Sequence, residues 1–227
     1  MKQLLTTIRC ALFVIVACLP LAAQQQSRGP IGPAPKPSTQ AAKPTVKMPT
    51  VKALADSTAP KGWKKFQFGT QPLLFSILFP EKHDATSEIV PMPGSDHPAT
   101  SYIYAAETET SVYMAMCVED LPFIGERMPE KIKQAFYEGI WLGMLEGMKQ
   151  ELDKSGLLFK IVSGEMEKIT LSGLEGRSQD FTFGPLNGHT RMVIAGQRAY
   201  VAVMMAPPDG GSEREAFFNS FEIHAKR

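Results

Sequence analysis

The stretch that decides the fold is Ile169–Val203, ITLSGLEGRSQDFTFGPLNGHTRMVIAGQRAYVAV. It contains three segments of strand-forming composition, and glycine-containing turns at Gly184–Gly188 and Gly196–Gln197 separate them. Strand-like runs joined by such turns are typical of neighbouring antiparallel strands. The stretch therefore predicts a meander. Its three strands are expected at Arg177–Phe183, Thr190–Ala195 and Arg198–Met205.

One long helix is predicted before the meander, at about 130–154. Pro129 precedes it and Gly156 follows it, and these residue types are favoured at the two ends of a helix. Seven apolar residues follow helical spacing: Phe136, Ile140, Trp141, Met144, Leu145, Met148 and Leu152. A second row predicts close packing of the helix backbone on the sheet. Its members are small residues four apart, Ala135, Gly139, Gly143 and Gly147.

Further strands are predicted nearer the N-terminus. Leu73–Phe79 is almost continuously apolar, which indicates a strand covered on both faces. Ser101–Ala106 and Ser111–Val118 are two more strands, and the polar segment Glu81–Thr100 is expected to be a long loop or a ragged hairpin.

A short C-terminal helix is predicted at about 212–222, with Ser212 as its N-cap and Glu215 completing a capping box. Three phenylalanines are expected to hold it against the core: Phe217, Phe218 and Phe221. Together the elements predict an α+β domain at 61–227 that contains an antiparallel β-sheet and two helices.

Residues 1–23 are predicted to be a signal peptide. Lys2 and Arg9 supply positive charge, an apolar run follows at Ala11–Leu21, and small residues precede Gln24. A bilayer-spanning helix needs about 20 apolar residues, more than this run provides. The prediction is export, with cleavage after Ala23.

Lipidation at Cys18 is an alternative, because Ile15–Cys18 resembles a bacterial lipobox. The apolar residues Leu19–Leu21 after the cysteine favour ordinary cleavage. Cys10 also lies in the predicted signal, so Cys117 is expected to be the single thiol of the mature domain.

Residues 24–60 are predicted to be a disordered linker. They hold seven prolines and few large apolar residues, too little to offset the entropy of ordering. The linker carries five basic residues and one acidic residue, whereas residues 61–227 carry 17 basic and 22 acidic residues. The linker is interpreted as a tether, or else as a basic strap on an anionic surface. An acidic domain is a poor binder of phosphate backbones, so nucleic acid is not an expected partner.

Catalytic motifs are weak in this chain. Ser95-Asp96-His97 contains the residue types of a triad, but adjacent residues cannot converge as a triad requires. His83, Asp84, Asp96 and His97 flank one loop and could gather around a metal ion, but their spacing is neither the helical spacing nor the cysteine-pair spacing of common metal sites. The prediction names no catalytic, cofactor or metal residues and no cofactor.

Three other features have alternative interpretations. Cys117 is expected to be a buried small hydrophobe rather than a nucleophile. Arg177, Arg191 and Arg198 either form an anion site or lie on solvated faces and in ion pairs. His189 and His224 are expected at the surface, and the 12 methionines are either core residues or an adaptable contact surface.

Several short motifs resemble a family of exported bacterial proteins of uncharacterised function with a PsbP-like fold. They begin with the segments 63–66 and 75–80, continue with Gly173-x-x-Gly176-Arg177, and end with Phe217-Phe218-x-Ser220-Phe221. The resemblance implies an α/β/α sandwich. It also implies a binding or assembly role, since the photosystem subunit PsbP and a Ran-binding import factor in the same fold group act in that way.

The expected function is therefore an exported binding or assembly module of the cell envelope, without catalytic activity. Its partner is an unidentified protein or envelope component, and its location is periplasmic or secreted. The first alternative is a lipoprotein tethered through Cys18 in a membrane complex. The second is a hydrolase or metal-dependent enzyme centred on Cys117 or on the loop between His83 and His97.

Overall fold

The computed structural model describes residues 46, 48–56, 58–69, 73–90, 92, 96–121, 128–156 and 159–225. Within them, the helices are α1 (Glu130–Ser155) and α2 (Gly211–Asn219). The strands are β1 (Lys52–Leu54), β2 (Trp63–Phe68), β3 (Leu73–Pro80), β4 (Asp84–Val90), β5 (Ala99–Glu107), β6 (Val112–Glu119), β7 (Ile161–Leu171), β8 (Leu174–Phe183), β9 (Leu186–Ala195), β10 (Arg198–Ala206) and β11 (Glu222–Ala225).

The larger of two antiparallel sheets has seven strands in the order β4-β5-β6-β10-β9-β8-β7. The predicted meander is confirmed as β8, β9 and β10, which pair in chain order, and β7 extends it at the edge. Ser172 and Gly173 form the two-residue turn between β7 and β8 with φ of 51° and 77°. Positive φ at both positions matches the twist of a hairpin, and glycine adopts it without strain.

Both faces of the seven-stranded sheet are buried at its centre, and β6 shows this most clearly because all eight of its residues are buried. Its even-numbered residues contribute to one apolar core and its odd-numbered residues Tyr113, Ala115 and Cys117 to a second. Seven methionines are buried in these cores: Met114, Met116, Met144, Met148, Met192, Met204 and Met205. These methionines are therefore core residues rather than a contact surface.

Helix α1 covers one face of this sheet. It begins after Pro129 and ends at Gly156, whose φ of 69° is left-handed, so the predicted ends are confirmed. The apolar row packs into the core, where Trp141 contacts Phe181 with ring centroids 5.1 Å apart. In the second row the three glycines are buried, whereas Ala135 is exposed. Neither described helix is long and apolar enough to cross a membrane.

The opposite face is covered by α2 and by a four-stranded sheet of order β1-β2-β3-β11. This layer therefore contains strands as well as the predicted helix. Strand β3 lies inside the small sheet, in agreement with its apolar sequence. Strand β4 pairs with β5, so the segment expected to be a loop or ragged hairpin contains a hairpin.

Two boundaries differ from the prediction. Lys52–Leu54 falls in the predicted linker but pairs with β2, so the folded part begins before residue 61. Helix α2 begins at Gly211, because the Gly210 carbonyl accepts the Arg214 N–H at 3.4 Å. The predicted N-cap at Ser212 is therefore wrong, and the helix ends at Asn219 before strand β11.

Candidate functional site

Four ionisable side chains and one aromatic ring lie together where α2 meets β8 and β9. We call them the α2 cluster: Asp180, His189, Arg191, Arg214 and Phe218. Asp180 and His189 are direct partners across β8 and β9, so their side chains share a face. Arg191 is two residues along β9 and therefore faces the same way. Arg214 and Phe218 are four apart on α2, on one side of the helix.

Hydrogen bonds fasten α2 to the sheet through this cluster. Asp180 Oδ1 lies 2.7 Å from Arg214 Nη2 and 2.7 Å from His189 Nδ1. Arg214 Nη2 also lies 3.0 Å from His189 Nδ1. Arg191 Nη1 donates to the Phe218 carbonyl at 2.9 Å. The Phe218 ring contacts His189 at 4.6 Å between centroids and lies 5.2 Å from Arg191 Cζ, so both strand residues hold it.

The electrostatics of the cluster follow from burial and from its two arginines. Burial lowers the pKa of His189, the hydrogen bond with Asp180 opposes this, and the charge of Arg214 adds to it. Burial acts to raise the pKa of Asp180, but His189 and Arg214 outweigh it, so that pKa lies below its usual value. Burial and the charge of Arg214 lower the pKa of Arg191, whose Nε has no hydrogen-bond partner among the described residues.

A small cavity adjoins the cluster. His189, Arg214 and Gly210 line part of it, and its volume is about 50 Å³. A water molecule occupies about 30 Å³ of liquid, whereas pockets for small organic ligands are usually about 300–1,000 Å³. This cavity therefore has the size of a hydration site. The α2 cluster beside it attaches α2 to strands β8 and β9.

The three arginines weighed as an anion site do not come together. Arg177 and Arg191 point to opposite faces of the seven-stranded sheet, because Arg177 contacts α1 and Arg191 contacts α2. Arg198 lies at the start of β10 and forms an ion pair with Glu119 at 3.5 Å. The anion-site interpretation is wrong and the ion-pair interpretation is correct for Arg177 and Arg198.

Arg177 joins the first turns of α1 to β8. Its side chain is only 1% exposed. It donates to Glu130 at 2.6 Å, to Glu175 at 2.7 Å and to the Gln134 amide oxygen at 2.8 Å. Its guanidinium also lies 5.1 Å from the centre of the Tyr137 ring. The arrangement is a buried structural network.

Glu130 also binds Lys168, at 3.0 Å, on the exposed side of this network. The Lys168 hydrogen bond, and after it that of Arg177, lower the pKa of Glu130 to about 2 against the opposing effect of desolvation. The carboxylate therefore stays charged down to strongly acidic pH and keeps the network closed.

Cys117 is fully buried between the two sheets, where its direct strand partners are Tyr102 and Tyr200. Burial raises the pKa of its thiol well above the usual value, and the nearby Glu119 carboxylate raises it further. A thiol with a raised pKa is a poor nucleophile at neutral pH. The side chain therefore acts as the small hydrophobe that the sequence predicted.

The residues weighed as a metal site take different roles. The His83 ring packs on aromatic rings, at 4.8 Å from Phe66 and 5.5 Å from Phe79. Asp96 and His97 are exposed, and Ser95 lies outside the described residues. In the described ranges, no three His, Cys, Asp or Glu side chains are grouped to hold a metal ion.

Two histidines have partners that sequence reasoning missed. His189 was expected at the surface, but its side chain is 13% exposed and lies in the α2 cluster. His224 is exposed as expected, and its Nε2 lies 2.8 Å from the Ser76 hydroxyl. A two-residue turn at Gly184–Pro185, in place of the predicted five-residue turn, sets the register that pairs His189 with Asp180.

The protein thus belongs to the α+β class, with two antiparallel sheets, a long helix across one face and a short helix near the C-terminus. No family model matches the chain, and no curated protein matches its sequence. Among solved structures it is similar to cyanobacterial PsbP from Synechocystis sp. PCC 6803, with 10% identity, a TM-score of 0.41 and coverage of 86% of this chain and 99% of that one.

Two further solved structures are similar to the chain. LpqN of Mycobacterium tuberculosis, described as involved in cell envelope biogenesis, has 14% identity and a TM-score of 0.31, over 77% of this chain and 83% of that one. A Pseudomonas aeruginosa protein of unknown function has 9% identity and a TM-score of 0.29, over 67% and 90%. The matched structures thus include a PsbP protein.

Proposed function

We propose that the protein is an exported module of the cell envelope that binds or helps to assemble a partner and performs no catalysis. The observation that carries the proposal is the structural role of four ionisable residues that could have formed a reactive site. Cys117 is a buried thiol, Arg177 and Arg198 are paired with glutamates, and Arg191 holds α2. These four groups serve packing, and we infer that the domain acts through contacts of its surface.

Export rests on the sequence of residues 1–23, which has the charged, apolar and small-residue parts of a signal peptide. The linker that follows it leads to the first described residues. There, Ser87 on β4 donates to the Val46 carbonyl at 3.1 Å. Val46, the first described residue, therefore lies beside the β4 edge of the seven-stranded sheet.

The test of export is the intact mass of the mature protein from its native cell, measured separately in soluble and membrane fractions. We expect a soluble form that begins at Gln24. A full-length form beginning at Met1 in the cytoplasm would contradict export.

A tethered lipoprotein is the second candidate, and the lipobox-like Ile15–Cys18 favours it. It predicts an acylated form that begins at Cys18 in the membrane fraction. Cys18→Ala should move the protein from the membrane fraction to the soluble fraction, whereas the matched control Cys10→Ala should leave it in the membrane fraction. If Cys18→Ala does not move the protein, an anchor at Cys18 is excluded.

The test of binding is site-specific photo-crosslinking in the native cell. Leu142 on α1 is 59% exposed and Val162 on β7 is 48% exposed, on opposite sides of the seven-stranded sheet. A binding module should give a discrete adduct from at least one of these positions. Met144, two residues from Leu142 and fully buried, is the matched control and should give none. The absence of an adduct at both exposed positions would count against a partner at either surface.

A further inference from the structure

His189 stands at the centre of the contact between α2 and the sheet. It is faced by Asp180 from β8, by Arg214 and Phe218 from α2, by Arg191 on its own strand, and by its cross-strand partner Met204 on β10. The α2 cluster therefore contains one carboxylate and two guanidinium groups around one imidazole. Its net charge is positive while His189 is neutral.

The imbalance of charge becomes unfavourable because His189 is largely buried. The His189 side chain is 13% exposed, whereas its carboxylate partner Asp180 is 66% exposed and is shared with Arg214. Charge added on the largely buried His189 would lie 3.0 Å from Arg214 Nη2, and solvent would screen the two charges only in part because just the Arg214 side of the pair is substantially exposed, at 41%. A single shared carboxylate cannot balance three cations.

We propose that the docking of α2 is sensitive to pH: protonation of His189 places a third cation between Arg191 and Arg214 and weakens the hold of α2 on β9. This inference goes beyond the proposed binding role, since it concerns a conformational change within the domain. Weakened docking exposes the apolar underside of α2, which consists of Phe217 and Phe218, now 0% and 2% exposed.

The direction of the pH effect follows from the pKa of His189. Burial lowers that pKa in the folded protein, so the unfolded chain binds the proton more readily. The contribution of neutral His189 is therefore fully present above the unfolded value of about 6.5 and is lost as the pH falls below it. The pKa of Asp180 lies below its usual value, so this carboxyl stays charged over the same range.

Two other contacts hold α2 in place, and neither includes His189. The Tyr113 hydroxyl donates to Glu213, and the Leu78 N–H donates to Ser220 Oγ at 2.7 Å. These contacts hold the two ends of the helix region independently of His189. We therefore expect acid to loosen α2 without unfolding the domain.

The experiment is amide hydrogen exchange, with protection corrected for the intrinsic pH dependence of exchange and compared between about pH 8 and pH 5. In the wild type, protection of α2 should fall by about fivefold, comparable to the loss of one partly exposed ion pair. Protection of β6 and β10 should be unchanged. His189→Gln should abolish the difference, and His224→Gln, the matched control, should keep it. The proposal is overturned if α2 protection does not change or if His189→Gln still shows the loss.

A second measurement needs no variant. In an NMR titration of the wild type, the His189 midpoint should lie below the ordinary imidazole value of about 6.5. Backbone resonances of α2 should move with that midpoint. If they do not move with it, the proposal fails.

Discussion

Gly188 on β9 lies directly opposite Phe181 on β8, and the aromatic ring covers the glycine. A Cβ atom added at Gly188 would lie 2.2 Å from Phe181 Cζ and 2.3 Å from Cε2. Carbon atoms in good contact are about 3.5–4.0 Å apart, so the ring would have to move by more than about 1 Å. Phe181 is 3% exposed and packs against Trp141, so that movement would disturb the buried contact between the two rings.

We therefore predict that Gly188→Ala lowers the free energy of unfolding by about 2 kcal/mol. Overpacking a core costs about 1–3 kcal/mol, and this contact belongs at the upper end of that range. Alanine also restricts the backbone of the unfolded chain more than glycine does, and this effect raises the free energy of unfolding by about 0.4–1 kcal/mol. The difference is a net destabilisation.

The assay is urea unfolding with a double-mutant cycle. In a Phe181→Leu background the far ring atoms are absent, so the added methyl should be neutral or slightly stabilising. Asn187→Ala, an exposed change on the same strand, is the control and should stay within about 0.5 kcal/mol. An equal cost of Gly188→Ala in both backgrounds would refute the packing argument.

Two further predictions concern buried polar groups. Arg177→Met should cost about 2–4 kcal/mol in urea unfolding, because it removes charge-assisted hydrogen bonds to Glu130 and Glu175. Arg177→Lys should recover only part of that loss, since an ammonium lacks the planar fork; full recovery would show that charge alone suffices. Cys117 should react with a thiol reagent only in proportion to the unfolded fraction across a denaturant series, and fast reaction in native buffer would contradict its burial and raised pKa.

The elements predicted best are those with local chemical signals. Helix α1 was predicted to within one residue because Pro129 and Gly156 mark its ends and because its apolar spacing is regular. The meander β8–β10 was predicted because turns and apolar runs succeed each other along the chain. Neither inference needed knowledge of distant contacts.

The elements that were missed depend on distant partners. Strand β1 has three largely exposed residues and exists through its pairing with β2. Strand β11 follows α2 closely and pairs with β3, which lies about 145 residues earlier, for example Glu222 with Ser76. The sequences of β1 and β11 contain too few apolar residues for a periodicity to be recognised. A single-sequence argument therefore finds five strands of the seven-stranded sheet, β5, β6, β8, β9 and β10, and misses most of the small sheet.

The α2 cluster was within reach of sequence reasoning but needed the register of one turn. Counting back from a two-residue turn at Gly184–Pro185 pairs Phe183 with Leu186 and hence Asp180 with His189. The five-residue turn expected at Gly184–Gly188 left His189 just before the predicted strand Thr190–Ala195, where it had no cross-strand partner. The arrival of Arg214 from α2 depends on tertiary packing and has no local signal.

The motif Gly173-x-x-Gly176-Arg177 shows what the family resemblance encodes. Gly173 takes the left-handed conformation in the β7–β8 turn, with φ of 77°. At Gly176 an added Cβ would lie 2.6 Å from the Met192 carbonyl oxygen, so no larger residue fits. Arg177 fastens α1 to β8. All three residues serve the fold, so a motif of this kind identifies the architecture and not the partner. Under the proposed binding function, the residues that contact the partner lie on the exposed surface, and Leu142 and Val162 are the first positions to test.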